Sequence, residues 1–184
     1  AQAITGFAAQ HGAALSAVDL ANHQADWVEP VAVPFRGHTV HEIPPNGVGL
    51  AALMALGMLE HLPFEDAPEG SAARMHLELE AMRLAFADLH THVADPAHMH
   101  VTAAQLLDSS YLQQRARCIN PQRAGQHTAG TPASGGTVYL CAADAQGRMV
   151  SFIQSNYRGF GSGVVVPGTG IALHNRGTGF VTTP

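Results

Sequence analysis

Lysine is absent from this 184-residue chain: all nine of its basic residues are arginine, set against fourteen acidic residues and a net charge of −5. The arginines are scattered, with no basic cluster or stripe. Nucleic-acid binding works by neutralising phosphates with grouped Lys and Arg, so no nucleic-acid partner is expected. Cysteine is equally scarce. Cys118 and Cys141 are the only two, too few for a disulfide framework, and two thiols leave the compartment open. Long hydrophobic runs are missing as well. The longest mostly apolar stretch, VGLAALMALGML at 48–59, falls short of the ~20 residues that cross a bilayer, and Pro-Pro-Asn-Gly and Glu60 flank it, so no membrane span is expected. No CxxC or HExxH motif occurs, and no glycine loop ends in Gly-Lys-Ser/Thr. What is present, 46% hydrophobic residues with both turn formers and charge, describes a globular chain with room for one ordinary core, one domain or slightly more.

The pattern along the chain changes from helix to strand. Residues 1–26 give weak helical signals, with a helical turn at 20–25. VEPVAVPFRGHTVHEIPP at 28–45 is rich in Val and broken by four prolines, which suits short strands or sheet edges. After the Pro-Pro-Asn-Gly turn, Leu50, Leu53, Met54, Leu56 and Leu59 make an apolar stripe broad enough for a buried helix over 48–60. Met75, Leu79, Met82 and Phe86 recur at helical spacing and predict a second helix over 71–89. Asp95-Pro96 disfavours helix, so 93–101 reads as a loop, and Thr102 caps a third helix over 103–117. NPQRAGQHTAGTPASGG at 120–136 is small and polar with almost nothing to bury. It predicts a poorly ordered connector, placed at 122–136, between a helical region, 1–121, and a β-rich region, 137–184. Beyond it, 138–143 and 149–154 form a hairpin about Asp144-Ala145-Gln146-Gly147, and a Gly-rich loop leads to two short strands within 164–173. No internal repeat is present.

Three groups of residues invite a chemical reading. The twelve histidines include His90, His92, His98 and His100, with Asp88 and Asp95 close by in sequence. An H-x-H pair shares one face only in a strand, and this region joins a helix end to a loop, so solvated or hydrogen-bonded histidines are the better reading and no metal site is expected. GFGSGVVVPGTG at 159–170 leads into strands where a phosphate loop opens a helix, and Ser162 lacks the G-x-S-x-G spacing of a nucleophile elbow. The third is SGGTVYLCAAD at 134–144. Gly-Gly-Thr before a strand is ordinarily a turn. The alternative is that Thr137 is a nucleophile: cleavage of the Gly136–Thr137 bond would give it a free α-amine, whose pKa of about 8 suits it to take the hydroxyl proton. Glycine at 136 lets that peptide adopt the geometry an N-to-O acyl shift needs.

The stretch GGTVYLCAADAQGRMVSFIQSNYRGFGSGVVVPGTGIALHNRGTGF closely resembles the start of the small subunit of γ-glutamyltransferases, a family of N-terminal-nucleophile (Ntn) hydrolases. Upstream, DWVEPVAVPFRGHTVHEIPPNGVGLAALMALGMLE resembles the end of that family's large subunit. The resemblance is specific over 135–180 and moderate elsewhere. It implies an α+β chain that is a central part of an αββα sandwich, with cleavage between Gly136 and Thr137 and with Thr137 as nucleophile. Ser155 matches a hydroxyl residue that orients the nucleophile. The substrate-binding matches are Tyr157, with Asn156 beside it, and Arg176. Where typical transferases carry an acidic residue that grips the glutamate ammonium, this chain has Gly179, which points to the divergent branch of transferase-like proteins and acylases.

The expected function is hydrolysis or transfer of a γ-glutamyl or related acyl amide, without metal or organic cofactor. The rival reading is a non-catalytic relative or an excised domain that only folds and self-associates. Family members are several times longer and place their carboxylate-binding arginine before this region and their oxyanion glycines after it. The chain is therefore expected to be a precursor fragment, inactive and mostly uncut alone, whose partners are the remainder of its own precursor and a second copy in a homodimer. Those missing elements bear on its expected lack of turnover.

Overall fold

The computed structural model describes residues 1–125 and 137–180. In chain order the elements are α1 (Gln2–Gln10), α2 (Ala17–Asn22), β1 (Val31–Phe35), β2 (His38–Glu42), α3 (Gly49–Leu59), α4 (Ala72–His92), α5 (Ala103–Leu106), α6 (Ser109–Ala116), β3 (Thr137–Ala143), β4 (Met149–Ser155), β5 (Val165–Val166) and β6 (Ile171–Ala172). The strands form three antiparallel pairs, β1 with β2, β3 with β4 and β5 with β6. The chain falls into two compact units, one of residues 26–131, the other of 1–25 together with 132–184.

The first unit is built around α3. GLAALMALGML is apolar on every side, and a helix of that kind is stable only when surrounded. Leu50, Leu53, Met54 and Met58 are fully buried, and α4, α6 and the β1–β2 hairpin all pack on this helix. Gly57 sets the distance to α6, since a Cβ there would come within 2.5 Å of Leu112 Cδ1. The sequence expectation of a buried helix is met.

α4 starts where the Ser71 hydroxyl accepts from the Arg74 amide at 3.2 Å, a regular N-cap. Its buried face is largely not the row of residues whose spacing marked the helix. Leu77, Ala81, Leu84, Ala85 and Leu89 face the core, whereas Met75 and Leu79 are each 57% exposed. The reason is steric: small Ala81 and Ala85 between Leu77 and Leu89 let α4 approach α3, which the long methionines would prevent. Asp88 is buried on this helix and accepts from Arg115 Nε and Nη2 of α6 at 2.8 and 2.7 Å, a bidentate tie between the two helices.

The anticipated helix over 103–117 is two helices. Thr102 and Gln105 form a capping box at α5, and Asp108 then leaves the helical conformation with ψ near 131° and caps α6 through the amides of Ser110 and Tyr111. A carboxylate that satisfies new orphan amides starts a helix where periodicity alone reads continuation.

In the second unit, α1 packs on β5, and Ala8 and Val166 are buried there. β3 and β4 pair from Thr137↔Ser155 to Ala143↔Met149. Asp144 closes the turn by accepting from the amides of Gln146 and Arg148, both at 3.0 Å. Hairpin and short strands thus lie where the alternation placed them. The connector expected at 122–136 falls mainly on 126–136, outside the described residues.

Candidate active site

Thr137 is the first residue of β3, and the strand register sets Ser155, the last residue of β4, directly opposite it. Their separation of eighteen positions is what a seven-residue strand, a short turn and a second seven-residue strand produce. Gly136, the other side of the anticipated cleavage, lies outside the described residues. The Ser155 hydroxyl accepts from the Tyr157 amide at 3.0 Å, so the chain folds back at once after leaving the sheet.

That fold-back carries strain. Tyr157 has φ of 79°, a region bulky residues enter only when surrounding contacts demand it. The contacts come from Asn175. Its amide donates to Asn156 O at 3.2 Å, its Oδ1 accepts from the Arg158 amide at 3.0 Å, and its Nδ2 donates to Arg158 O at 3.4 Å. Asn156, Tyr157 and Arg158 are thereby held against the segment that carries Arg176. The guanidinium carbons of Arg158 and Arg176 lie 5.3 and 5.5 Å from the centre of the Tyr157 ring, within cation–π range. Arg176 opens a 3-10 turn, Arg176–Gly179, that also contains Gly179. The structure therefore brings Tyr157, Arg176 and the unforeseen Arg158 together, next to Ser155 and the start of β3.

The glycine loop supports this corner. Gly161 has φ of 72°, and a Cβ there would meet Leu173 O at 2.5 Å, so no side chain fits. Ser162 donates its hydroxyl to Leu173 O at 2.8 Å and accepts from the Val164 amide at 3.2 Å, the role of a loop brace. In the histidine region both aspartates have protein partners. Asp88 is bound to Arg115, and Asp95 Oδ1 caps a 3-10 turn through the Ala97 amide. Among the described residues no three His, Cys, Asp or Glu side chains converge to hold a metal ion. No helix among them is long and apolar enough to cross a membrane. Cys118 and Cys141 are exposed and free.

Arg158 and Asn175 went unassigned in the sequence reading because their contact bridges seventeen positions. One signal was available: residues 145–184 contain no Asp or Glu, so Arg158 and Arg176 have no acidic neighbour in sequence.

A helical first part followed by a β-rich second part, with a Thr at a strand start, is the α+β arrangement of the Ntn-hydrolase αββα sandwich, of which this chain forms part. The chain belongs to the γ-glutamyltranspeptidase family, whose profile, described as gamma-glutamyltranspeptidase, matches residues 1–184. It is 35% identical over 180 residues to the glutathione hydrolase-like YwrD proenzyme of Bacillus subtilis, covering 98% of this chain and 34% of that protein. It is 38% identical over 166 residues to the oxamate amidohydrolase proenzyme of Klebsiella pneumoniae, covering 90% of this chain and 31% of that protein. Among solved structures, the cephalosporin acylase from Bacillus halodurans superposes with a TM-score of 0.84 at 46% identity, over 96% of this chain and 32% of that one. The chain thus spans about a third of the length of these relatives.

Proposed function

We propose that the complete protein carrying these residues is a γ-glutamyltransferase-like Ntn hydrolase or acyltransferase, processed between Gly136 and Thr137. The observation that supports it most is the register pairing Thr137 with Ser155, whose hydroxyl is itself fixed by the Tyr157 amide. In processing, the Thr137 hydroxyl attacks the Gly136 carbonyl, the C–N bond breaks as the amide becomes an ester, and water hydrolyses the ester to a Gly136 carboxylate and a Thr137 amine. In turnover that amine takes the hydroxyl proton as Thr137 attacks the substrate amide. The departing amine leaves with a proton, and water or an acceptor amine then takes the acyl group. Ser155 orients the nucleophile, and Asn156, Tyr157 and Arg176 contact the substrate. The regions 1–121 and 137–184 belong to the large and small subunits, joined before cleavage by 122–136.

Three relatives carry names that fit this chemistry: a glutathione hydrolase-like proenzyme, an oxamate amidohydrolase proenzyme and a cephalosporin acylase. Thr137→Ala in the complete protein is expected to abolish both chain cleavage and turnover of acyl anilides, read by intact mass and absorbance. Retained turnover overturns the assignment. Pairing with the rest of the precursor and with a second copy forms part of the same reading, supported by the exposed Met75, Leu79 and Met82 on α4. Sedimentation of the complete protein as a monomer counts against the second copy.

A further inference from the structure

We propose that α1 is the clasp that keeps the region beginning at Thr137 docked once the Gly136–Thr137 bond is cut, with β5 as the surface it grips. The inference rests on the reading of that bond as the processing site. It goes further by naming the element of the large-subunit region that holds the small-subunit region.

The division of the chain by packing is not its division by cleavage. Residues 1–25 precede the helical unit in sequence, yet they form one compact unit with 132–184. A cut between 136 and 137 leaves α1 on one product and β5 on the other. Among the side chains described in that unit, the only buried ones are Ala8 of α1 and Val166 of β5, at 5% and 1% exposure. Each product thus supplies one half of a shared core. α1 packs on β5, and the face it turns inward follows from its sequence. Ile4 and Phe7 are half-buried and Ala8 is buried, at the i, i+3, i+4 spacing of one helix face, while Gln2, Gly6, Ala9 and Gln10 are exposed. A nine-residue helix and a two-residue strand pair are each marginal alone, so each depends on the other for its burial. The β3–β4 hairpin offers no comparable hold, since Leu140, Met149, Val150, Phe152 and Ile153 are all exposed. The grip also reaches the site. The Leu173 amide donates to Val164 O at 2.9 Å, and the Ser162 hydroxyl donates to Leu173 O at 2.8 Å, so the strand pair under α1 is continuous with the corner beside Tyr157.

The test times release of the small subunit from the complete, processed protein at one fixed, moderate urea concentration, read by size exclusion. Complete cleavage, read by intact mass, shows that each variant folded before release is timed. Ala8→Glu places an unpaired carboxylate against β5 and should speed release about tenfold, because changes at an interface act mainly on the rate of departure. Val166→Ala, which removes two methyl groups from the other side of the contact, should also speed it about tenfold. Ala9→Glu adds the same charge one position along α1, on its exposed side, and should leave release at the parent rate. Parent-like release in both Ala8→Glu and Val166→Ala overturns the proposal, as does equal acceleration by Ala9→Glu and Ala8→Glu. Should Ala8→Glu not be cleaved, Val166→Ala decides by the same criterion. A parent protein that never splits refutes the processing reading. A specific protease site introduced within 126–136 then supplies the cut, and the same release rates decide the clasp.

Discussion

The helical unit around α3 and the β3–β4 hairpin treat their apolar residues in opposite ways. In the first, Leu50, Leu53, Met54 and Met58 are fully enclosed, and Leu77, Leu84, Leu106 and Leu112 close around them. In the hairpin, Leu140, Met149, Val150, Phe152 and Ile153 are all exposed, although they alternate between both faces of the pair. The helices therefore supply cohesion within the described residues, while the hairpin carries the candidate chemistry on a ribbon whose faces remain uncovered. A two-stranded ribbon is marginal by itself, and its stability depends on what packs against it. The candidate chemistry and the cohesion thus lie on different parts of the described chain.

The contrast breaks most clearly under truncation. Leu53→Ala removes a fully buried side chain from the centre of α3 and should destabilise the helical unit by about 3 kcal/mol in denaturant titration. Phe152→Ala on β4 deletes a larger side chain, yet that side chain is half-exposed, and the cost should stay within about 0.5 kcal/mol. Equal losses at the two positions would mean that the hairpin has a core of its own.

Next in size is the tie between α4 and α6. Arg115→Met leaves Asp88 buried without its bidentate partner. An uncompensated carboxylate of this kind costs about 2–3 kcal/mol when its partner is partly exposed. The double variant Asp88→Leu, Arg115→Met should recover much of that loss in the same titration, because no buried charge then remains unpaired.

How far the sequence revealed this molecule follows the range of the interactions. α3 was readable because an apolar run without a polar side has one stable placement, and the β3–β4 hairpin was readable because Asp144 and Gly147 mark a turn between alternating segments. α4 was recognised as a helix, while the row that marked it, Met75, Leu79 and Met82, is exposed and Phe86 alone of it packs on the core. Two stripes compete there, and the alanines that decide between them matter only through the approach of α3. The break at Asp108 was missed because a cap is one hydrogen-bonding side chain against a continuous periodicity. At the site, Ser155 was picked out by the family resemblance alone, and the strand register sets it opposite Thr137. The grouping of Arg158 with Arg176 depends on Asn175 and on the left-handed backbone of Tyr157, and neither is a property of a local run of residues.

Within the second unit, Gly161 tests whether the corner beside Tyr157 is rigid. Gly161→Ala forces a Cβ toward Leu173 O at a φ of 72°, and should cost about 1–2 kcal/mol of local stability. Hydrogen exchange at the Ser162 and Asn175 amides, which donate to Leu173 O and Asn156 O, should accelerate while the amides of α3 keep their protection. Uniform acceleration across both would erase the distinction between the two units.

The smallest effect belongs to acid, and it sharpens the same comparison at the hairpin turn. Asp144 has its carboxyl held below the ordinary 3.8, first by the Arg148 backbone amide and then by the Arg148 side chain and the Gln146 amide, with slight burial acting the other way. The folded-state value is the lower one, so the stabilisation is complete above the unfolded value and drains away as pH falls through the folded value, in the window beneath 3.8. The group stands at the surface in a turn, so the consequence is local fraying of the turn. Amide resonances of Gln146 and Arg148 should move together with a midpoint under 3.8, and Asp144→Asn should abolish that titration while leaving the turn formed through its remaining side-chain oxygen. A midpoint above 3.8 would show that the Asp144 hydrogen bonds do not favour the ionised form, and that the turn is held by the strand ladder alone.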